Sequence, residues 1–196
     1  MLILDKKDLQ KTITINNGTK IPIETDFRAW IKFSCILNDK YIDNIYKPYI
    51  LFNTVLFSYD TNIEADKILD ALLDFYCCNK SIAYSKKPDN KIGFLFDYDM
   101  DLIYSAFMQQ YRINLLTVDM HWWEFKALLS GLTDNTKFIQ VVGYRLADLS
   151  KIKDKKERQR LKELQEHYKI KDEKDSFIRT QEEIESDLFE RLGIKK

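Results

Sequence analysis

The sequence predicts a mainly α-helical domain with a small N-terminal β-hairpin and a charged, helical C-terminal extension. The 196-residue chain contains only 5 Gly and 3 Pro, and this scarcity of turn residues disfavours a sandwich of many short strands. Between residues 26 and 146, apolar residues recur every three or four positions, which is the period of an amphipathic helix. Strand-like alternation is confined to one short segment near the N-terminus.

Composition and charge narrow the class of protein. Hydrophobic residues make up 45% of the chain and aromatic residues 13%, which is ample material for a buried core and excludes a disordered protein. Lysine and arginine total 31, as do aspartate and glutamate, so the formal net charge is zero. Such a chain has no global electrostatic attraction for nucleic acid, and we expect no nucleic-acid partner.

Cysteine usage and hydropathy indicate a cytoplasmic protein. Cys35, Cys77 and Cys78 include no C-x-x-C pair, so we expect buried thiols in a reducing compartment rather than a disulfide framework or a zinc site. The N-terminal segment becomes charged after four residues, and no run of about 18 apolar residues occurs. We therefore expect neither a signal peptide nor a membrane span.

Residues 1–25 form the predicted N-terminal arm, which contains the hairpin. Apolar and polar residues alternate over 12–15, the turn sequence Asn-Asn-Gly follows at 16–18, and the alternation resumes over 20–23. A two-stranded hairpin alone is at best marginally stable in water. One of its faces must therefore pack on the core, or its strands must pair with another chain.

The core domain, residues 26–150, is predicted to hold six helices. Thr25 or Asp26 caps the first helix, which ends near residue 38. Pro48 lies in the first turn of the second helix, and the third ends near Asn79.

A polar loop over residues 85–91 separates these helices from three more. A trio of alternating aspartates near residue 99 leads the fourth helix, where carboxylates complement the positive end of the helix dipole. Asp119 opens the fifth helix and Asp134 caps the sixth.

Residues 151–196 form the predicted charged extension. A long solvated helix is expected to begin near Asp154, because oppositely charged residues lie at helical spacing. These pairs include Asp154 with Arg158 and Glu157 with Arg160.

Asp97, Asp99 and Asp101 raise a metal hypothesis, since alternate carboxylates begin calcium-binding loops. The match to an EF-hand loop fails, because Leu102 and Met108 stand where the loop needs glycine and glutamate. We favour the interpretation in which these carboxylates complement a helix N-terminus. A metal-dependent enzyme built on this cluster is kept as the weaker alternative.

His121, Trp122 and Trp123 form the densest cluster of unusual residues. An exposed pair of tryptophans can anchor a partner, but core packing with a bonded indole N–H is favoured because adjacent helix positions point about 100° apart. His121 then lies in a helix cap. With His167 as the only other histidine, no catalytic triad or Cys–His pair can be assembled. We predict no enzyme, no catalytic or metal-binding residues and no cofactor.

The last segment, residues 176–196, carries an amphipathic stripe. A capping box, Thr180-x-x-Glu183, opens a short helix there and Gly193 ends it. The stripe either folds back on the core domain or binds a groove of a partner, and both alternatives stay open. The candidate partner-binding residues are Trp122, Trp123, Phe177, Ile178, Ile184, Leu188, Phe189 and Leu192.

Several stretches of the chain resemble one phage family. They are FMQQYRINL from Phe107, HWWEFKALLSGL from His121 and DLSKIKDKKER from Asp148, with shorter matches at TDFRAW from Thr25 and LLDFY from Leu72. Over about residues 10–170 the sequence is similar to the bacteriophage gene-product-fifteen family of siphophages and related prophages in Gram-positive bacteria.

The resemblance implies a small, non-enzymatic tail-assembly protein. It would be a chaperone that binds the tape-measure protein during siphophage tail morphogenesis, in the cytoplasm of the bacterial host. The tape-measure protein is the implied partner, with the major tail protein and self-association as further contacts. A structural component of the tail or neck that is retained in the virion is the alternative.

Overall fold

The computed structural model describes residues 9–15, 18–60, 62–80 and 91–171. The elements within these ranges are, in chain order, β1 Thr12–Thr14, β2 Lys20–Pro22, α1 Phe27–Asn38, α2 Lys47–Val55, α3 Ala65–Tyr76, α4 Phe96–Tyr111, α5 Trp122–Ser130, α6 Lys137–Leu146, a 3₁₀ turn at Leu149–Lys151, and α7 Lys155–His167. The predicted fold class, mainly α with an N-terminal hairpin, is confirmed.

The chain divides into two compact units, Met1–Leu146 and Ala147–Lys196. The division follows α6, whereas the composition of the sequence changes at about Ser150. The hairpin and α1 to α6 therefore share one unit. The 3₁₀ turn and α7 belong to the other.

The two strands of the hairpin pair antiparallel, with Ile13 opposite Ile21. Both isoleucines are buried, and the backbone N–H of Glu24, just after β2, donates to the carbonyl of Val55 at the end of α2 (2.8 Å). Of the two predicted alternatives, the one in which a face of the hairpin packs on the core is observed. Gly18 has a φ of +84°, a conformation that glycine adopts without strain; the two asparagines of the predicted turn lie outside the described residues.

Helices α1 and α5 form the centre of the first unit. Their N-termini are joined by backbone hydrogen bonds, from Phe27 N to the Met120 carbonyl (3.1 Å) and from Trp122 N to the Thr25 carbonyl (2.8 Å). The rings of Phe27 and Phe125 stack with their centroids 4.8 Å apart. The largest fully buried side chains of the described residues include Trp30, Trp122, Phe33, Phe52, Phe75 and Phe107.

The helix boundaries follow the sequence closely, with two corrections. The side chain of Asp26 caps α1 and Pro48 lies in the first turn of α2, as predicted. The N-cap of α5 is His121 rather than Asp119, because His121 offers a ring nitrogen to the free amides of the first turn. Helix α6 begins at Lys137, three residues after the predicted cap Asp134.

Helix α7 lies in the second unit. The carboxylate of Asp154 accepts hydrogen bonds from the backbone N–H groups of Lys156 (2.7 Å) and Glu157 (3.0 Å) and so caps the helix. The predicted pair of Glu157 with Arg160 forms at 3.1 Å. Arg158 differs from the prediction, since its Nε donates to the Ile152 carbonyl (2.9 Å) instead of reaching Asp154. The predicted amphipathic helix near residues 176–193 lies outside the described residues.

Two further predictions concern the three cysteines and the hydropathy of the helices. Cys35, Cys77 and Cys78 are free and half-buried, so the predicted thiols are observed but are less deeply buried than expected. Among the described residues, no helix is both long enough and apolar enough to cross a membrane. Most of the predicted polar loop at 85–91 lies outside the described residues.

Replacing Ile13 by alanine is expected to lower the free energy of unfolding by about 2–5 kcal/mol, because a fully buried isoleucine leaves a cavity between the hairpin and the helices. Thr14→Ala is the matched control. Its side chain is exposed on the next position of the same strand, so its effect should stay within about 0.5 kcal/mol. Urea unfolding followed by circular dichroism measures both. Equal effects of the two substitutions would contradict the packing of the hairpin on the core.

Candidate functional site

Trp122 and Trp123, the candidate anchors for a partner, are both buried. The indole N–H of Trp122 donates to the Tyr76 carbonyl and that of Trp123 to the Phe75 carbonyl, each at 2.9 Å. These carbonyls belong to the last turn of α3, where a helix leaves its carbonyls without intrahelical partners. The core-packing alternative is therefore the one observed, and the two indoles cap the C-terminus of α3.

His121 has a capping role and is held at both ring nitrogens. Its Nδ1 accepts from the backbone N–H of Trp123 (3.0 Å), while the Glu124 carboxylate accepts from the His121 N–H (3.1 Å). Because Nδ1 is an acceptor, the ring proton lies on Nε2, which donates to the carbonyl of Gln10 at 2.9 Å. Both nitrogens are engaged by backbone groups, so the ring is positioned as a cap and not as a base facing solvent.

The three aspartates at the start of α4 lie in different environments, one buried and two exposed. Asp99 is 1% exposed and forms a two-pronged ion pair with Arg145 of α6, with N···O distances of 2.7 and 2.8 Å. The same carboxylate accepts from the backbone N–H of Leu95 (3.0 Å). Asp97 and Asp101 point elsewhere and are exposed. The central carboxylate of the three, that of Asp99, is thus bound by the guanidinium of Arg145.

In the part of the chain that the structure describes, no group of three or more His, Cys, Asp or Glu side chains is placed to hold a metal ion. Asp97 and Asp99 both lie in the first turn of α4, as the helix-dipole interpretation predicts. The sequence analysis missed Arg145. A signal was present, because Arg145 continues the buried stripe of Phe138 and Val141 on α6, and a buried arginine requires an acidic partner.

The thiols and Tyr76 have perturbed acidities. Burial raises the pKa of the Cys35 thiol, and the nearby Asp97 carboxylate raises it further. Burial also raises the pKa of Cys77, of Cys78 and of the Tyr76 hydroxyl. A raised pKa keeps a thiol protonated near pH 7 and therefore weakly nucleophilic. These cysteines have the properties of structural rather than catalytic residues.

Among the described residues, an open groove of about 500 Å³ lies between α1 and α4. We call it the α1/α4 groove. Its α1 wall is formed by Phe27 and Ile31, and its α4 wall by Met100 and Tyr104. Methionine adapts its shape to different apolar ligands more readily than branched side chains do, so this lining suits an irregular apolar face.

The third side of the α1/α4 groove is a turn that Arg28 holds in place. The guanidinium of Arg28 donates to the Leu115 carbonyl (2.7 Å) and the Val118 carbonyl (2.9 Å), and it is paired with Asp26 at 2.7 Å. This clamp presents Leu115 and Leu116 to the groove. Leu116 is 76% exposed and extends the apolar lining of the groove toward solvent.

Charge is confined to the rim of the α1/α4 groove. Arg28 and Lys32 lie on the α1 side and Asp101 on the α4 side. An apolar groove between helices with charges at its edges is the geometry that accepts the apolar face of an amphipathic helix.

The α1/α4 groove was not predicted from the sequence, and of its lining residues only Asp101 was singled out, as part of the aspartate cluster. The adjacent Leu115 and Leu116, in the connection between α4 and α5, were the available signal. The candidate residues Phe177, Ile178, Ile184, Leu188, Phe189 and Leu192 lie outside the described residues.

Comparison with known proteins gives one similarity. Residues 7–170 match the family described as "Bacteriophage Gp15 protein", which is the family that the quoted motifs resemble. No curated protein and no solved structure matches the chain. The matched region includes the hairpin, the His-Trp-Trp cluster, the α1/α4 groove and α7.

Asp99→Asn is expected to lower the free energy of unfolding by about 3–5 kcal/mol, because it leaves the buried guanidinium of Arg145 without its counter-charge. Asp101→Asn, two positions further along the helix and exposed, should cost at most about 1 kcal/mol through the helix dipole. Denaturant unfolding of the two variants gives the comparison. A small effect of Asp99→Asn would show that the ion pair does not hold α4 against α6.

Alkaline pH is expected to destabilise the protein. The pKa values of Cys35 and Tyr76 are raised above 9.0 and 10.0 by folding, so the unfolded chain loses these protons first as the pH rises. The free energy of unfolding should therefore fall from about pH 9.0 up to the raised pKa values of the folded state. Unfolding titrations at pH 7 and at higher pH measure the fall, and Cys35→Ala should reduce it. A stability that increases above pH 9.0 would contradict the direction of these shifts.

Proposed function

Because the chain belongs to the bacteriophage Gp15 protein family, we propose that it assists assembly of the phage tail as a chaperone that binds the tape-measure protein. Family membership suggests a phage structural or assembly role. The chaperone activity and the identity of the client go beyond this family-level role and are the proposal made here. No enzymatic step is part of it.

The observation that carries the proposal is the open, apolar α1/α4 groove. Apolar surface in contact with water has an unfavourable hydration free energy, and a patch held open by a defined backbone marks an interaction site. Leu116 belongs to such a patch. It is exposed, and the Arg28 clamp fixes the turn that carries it. A tape-measure helix would place its apolar face on Ile31, Met100 and Leu116.

The charged rim gives the proposed complex an orientation. Lys32 on one side would face an acidic residue of the client helix and Asp101 on the other would face a basic residue, whereas Arg28 is already paired with Asp26. Such rim charges contribute more to the association rate and to specificity than to affinity. A client helix therefore needs an apolar stripe with opposite charges on its two flanks.

The proposed binding is reversible, because the tail tube must displace the chaperone as it polymerises around the tape-measure protein. A groove of about 500 Å³ covers a few side chains and not a whole helix, which is consistent with modest affinity at each site. Many copies bound along one long client then keep it covered. The amphipathic stripe of residues 176–196 is a second candidate contact for the same client.

Co-expression with the tape-measure protein of the same phage tests the proposal. The client should become soluble and should be retained in a pull-down with the full-length chain. A truncation after Ser150 and the substitution Leu188→Glu in the full chain report whether the terminal stripe contributes. If the client is neither bound nor solubilised, the chaperone proposal loses its support.

Leu116→Glu is expected to weaken client binding by about 10- to 100-fold, because it removes about 1.5–3 kcal/mol of apolar contact and places a charge in the α1/α4 groove. The matched control is Ile92→Glu, since Ile92 is also more than half exposed and lies outside the groove. Titration calorimetry with a soluble helical fragment of the tape-measure protein measures both affinities. Equal affinities would place the client site elsewhere.

Mass spectrometry of purified virions separates the chaperone from the structural alternative. A chaperone that is displaced during assembly should be absent from finished particles. Stoichiometric retention of the protein in the tail or neck would instead establish it as a virion component.

A further inference from the structure

The segment from residue 41 to residue 57, which contains α2, carries the densest group of exposed large apolar side chains in the described residues. We call this group the α2 surface. It comprises Tyr41, Ile45, Tyr46, Tyr49, Ile50 and Phe57, exposed by 56%, 71%, 64%, 57%, 38% and 68%. It shares no residue with the α1/α4 groove.

Helix α2 is apolar on two faces. Leu51, Phe52 and Val55 are buried on its inner side, whereas Tyr46, Tyr49 and Ile50 follow the spacing of three and four that places side chains on one outer stripe. Lys47 is its only charged residue. A helix in permanent contact with water normally carries charged residues on its outer face. The outer face of α2 therefore has the composition of a covered surface.

The two charges within the segment are used inside the protomer. The ammonium of Lys47 donates to the carbonyls of Asp39 (2.8 Å) and Leu37 (3.3 Å). The carboxylate of Asp43 accepts from the backbone N–H of Ile45 (2.9 Å). The α2 surface therefore presents aromatic rings, aliphatic groups and tyrosine hydroxyls. The Lys40 ammonium lies 5.4 Å from the Tyr41 ring centroid at its edge, and the formal charges of residues 41–57 sum to zero.

The exposed area is close to what an interface requires. An aromatic side chain buries about 150–250 Å² when it is fully covered, and four aromatic rings of this surface are more than half exposed. These rings alone offer on the order of 500 Å², and the two isoleucines add to that area. A standard interface buries about 800 Å² on each partner.

We propose that the α2 surface joins two copies of this chain in a symmetric dimer. In such a dimer the same patch faces itself, so any net charge on it would be repelled by its own copy. The balanced α2 surface avoids this repulsion, and tyrosine hydroxyls can donate and accept across the two-fold axis. The α1/α4 groove, with Lys32 on one rim and Asp101 on the other, is suited instead to a partner of different sequence.

Sedimentation analysis of the full-length chain tests the proposal. Over about 1 to 100 μM, the range that detects micromolar association, the wild-type chain should pass from monomer to dimer. Tyr49→Lys and Tyr49→Glu should each shift the dissociation constant at least tenfold toward monomer, because two like charges then face each other. Ile92→Glu, an exposed isoleucine outside the α2 surface, should leave dimerisation unchanged.

A second set of measurements identifies the contact. An equimolar mixture of the Tyr49→Lys and Tyr49→Glu chains should recover dimers, since opposite charges then meet across the interface. Phe57→Lys, beyond the end of α2, should also weaken the dimer, and circular dichroism verifies that each variant is folded. A wild-type chain that stays monomeric over the whole range would overturn the proposal. Dimers that persist in the Tyr49→Lys, Tyr49→Glu and Phe57→Lys variants would also overturn it. The same holds if these substitutions abolish client binding by the monomer.

Discussion

Hydrogen bonds from buried indole N–H groups to backbone carbonyls are the interactions on which the first unit depends. Trp30 donates to Glu24 at the end of the hairpin (2.7 Å), and Trp122 and Trp123 donate to the last turn of α3 (2.9 Å). A buried donor without an acceptor costs about 1–3 kcal/mol. The positions of three rings therefore fix the hairpin exit, α1, α3 and α5 relative to one another. The His-Trp-Trp cluster is therefore a structural element of the first unit.

Patterns that depend on neighbouring residues could be predicted from the sequence. The hairpin, the Asp26 cap and the first-turn Pro48 are observed, because each arises within a few residues of backbone. The position of His121 was predicted only in part. Its nearness to a helix start was visible, but its bond to Gln10 joins residues 111 positions apart, and no local pattern encodes such a contact.

The candidate site was less accessible from the sequence for the same reason. The α1/α4 groove exists because Arg28 reaches across to the carbonyls of Leu115 and Val118, some 90 positions away. Backbone carbonyls are present at every residue, so an arginine does not reveal which ones it will bind. The Asp99–Arg145 pair was also missed, although Arg145 continues the buried stripe of α6, since an aspartate at a helix start already had a sufficient local explanation in the dipole.

The location of the tryptophans has a spectroscopic consequence. All three lie in the interior of the first unit, and residues 147–196 contain none. Intrinsic fluorescence therefore reports the opening of that unit alone, with a shift of emission to longer wavelength as the indoles meet water, while unwinding of α7 is silent. The α1/α4 groove and the α2 surface both lack tryptophan. The native emission maximum thus serves as an internal standard of folding in any binding experiment on either surface.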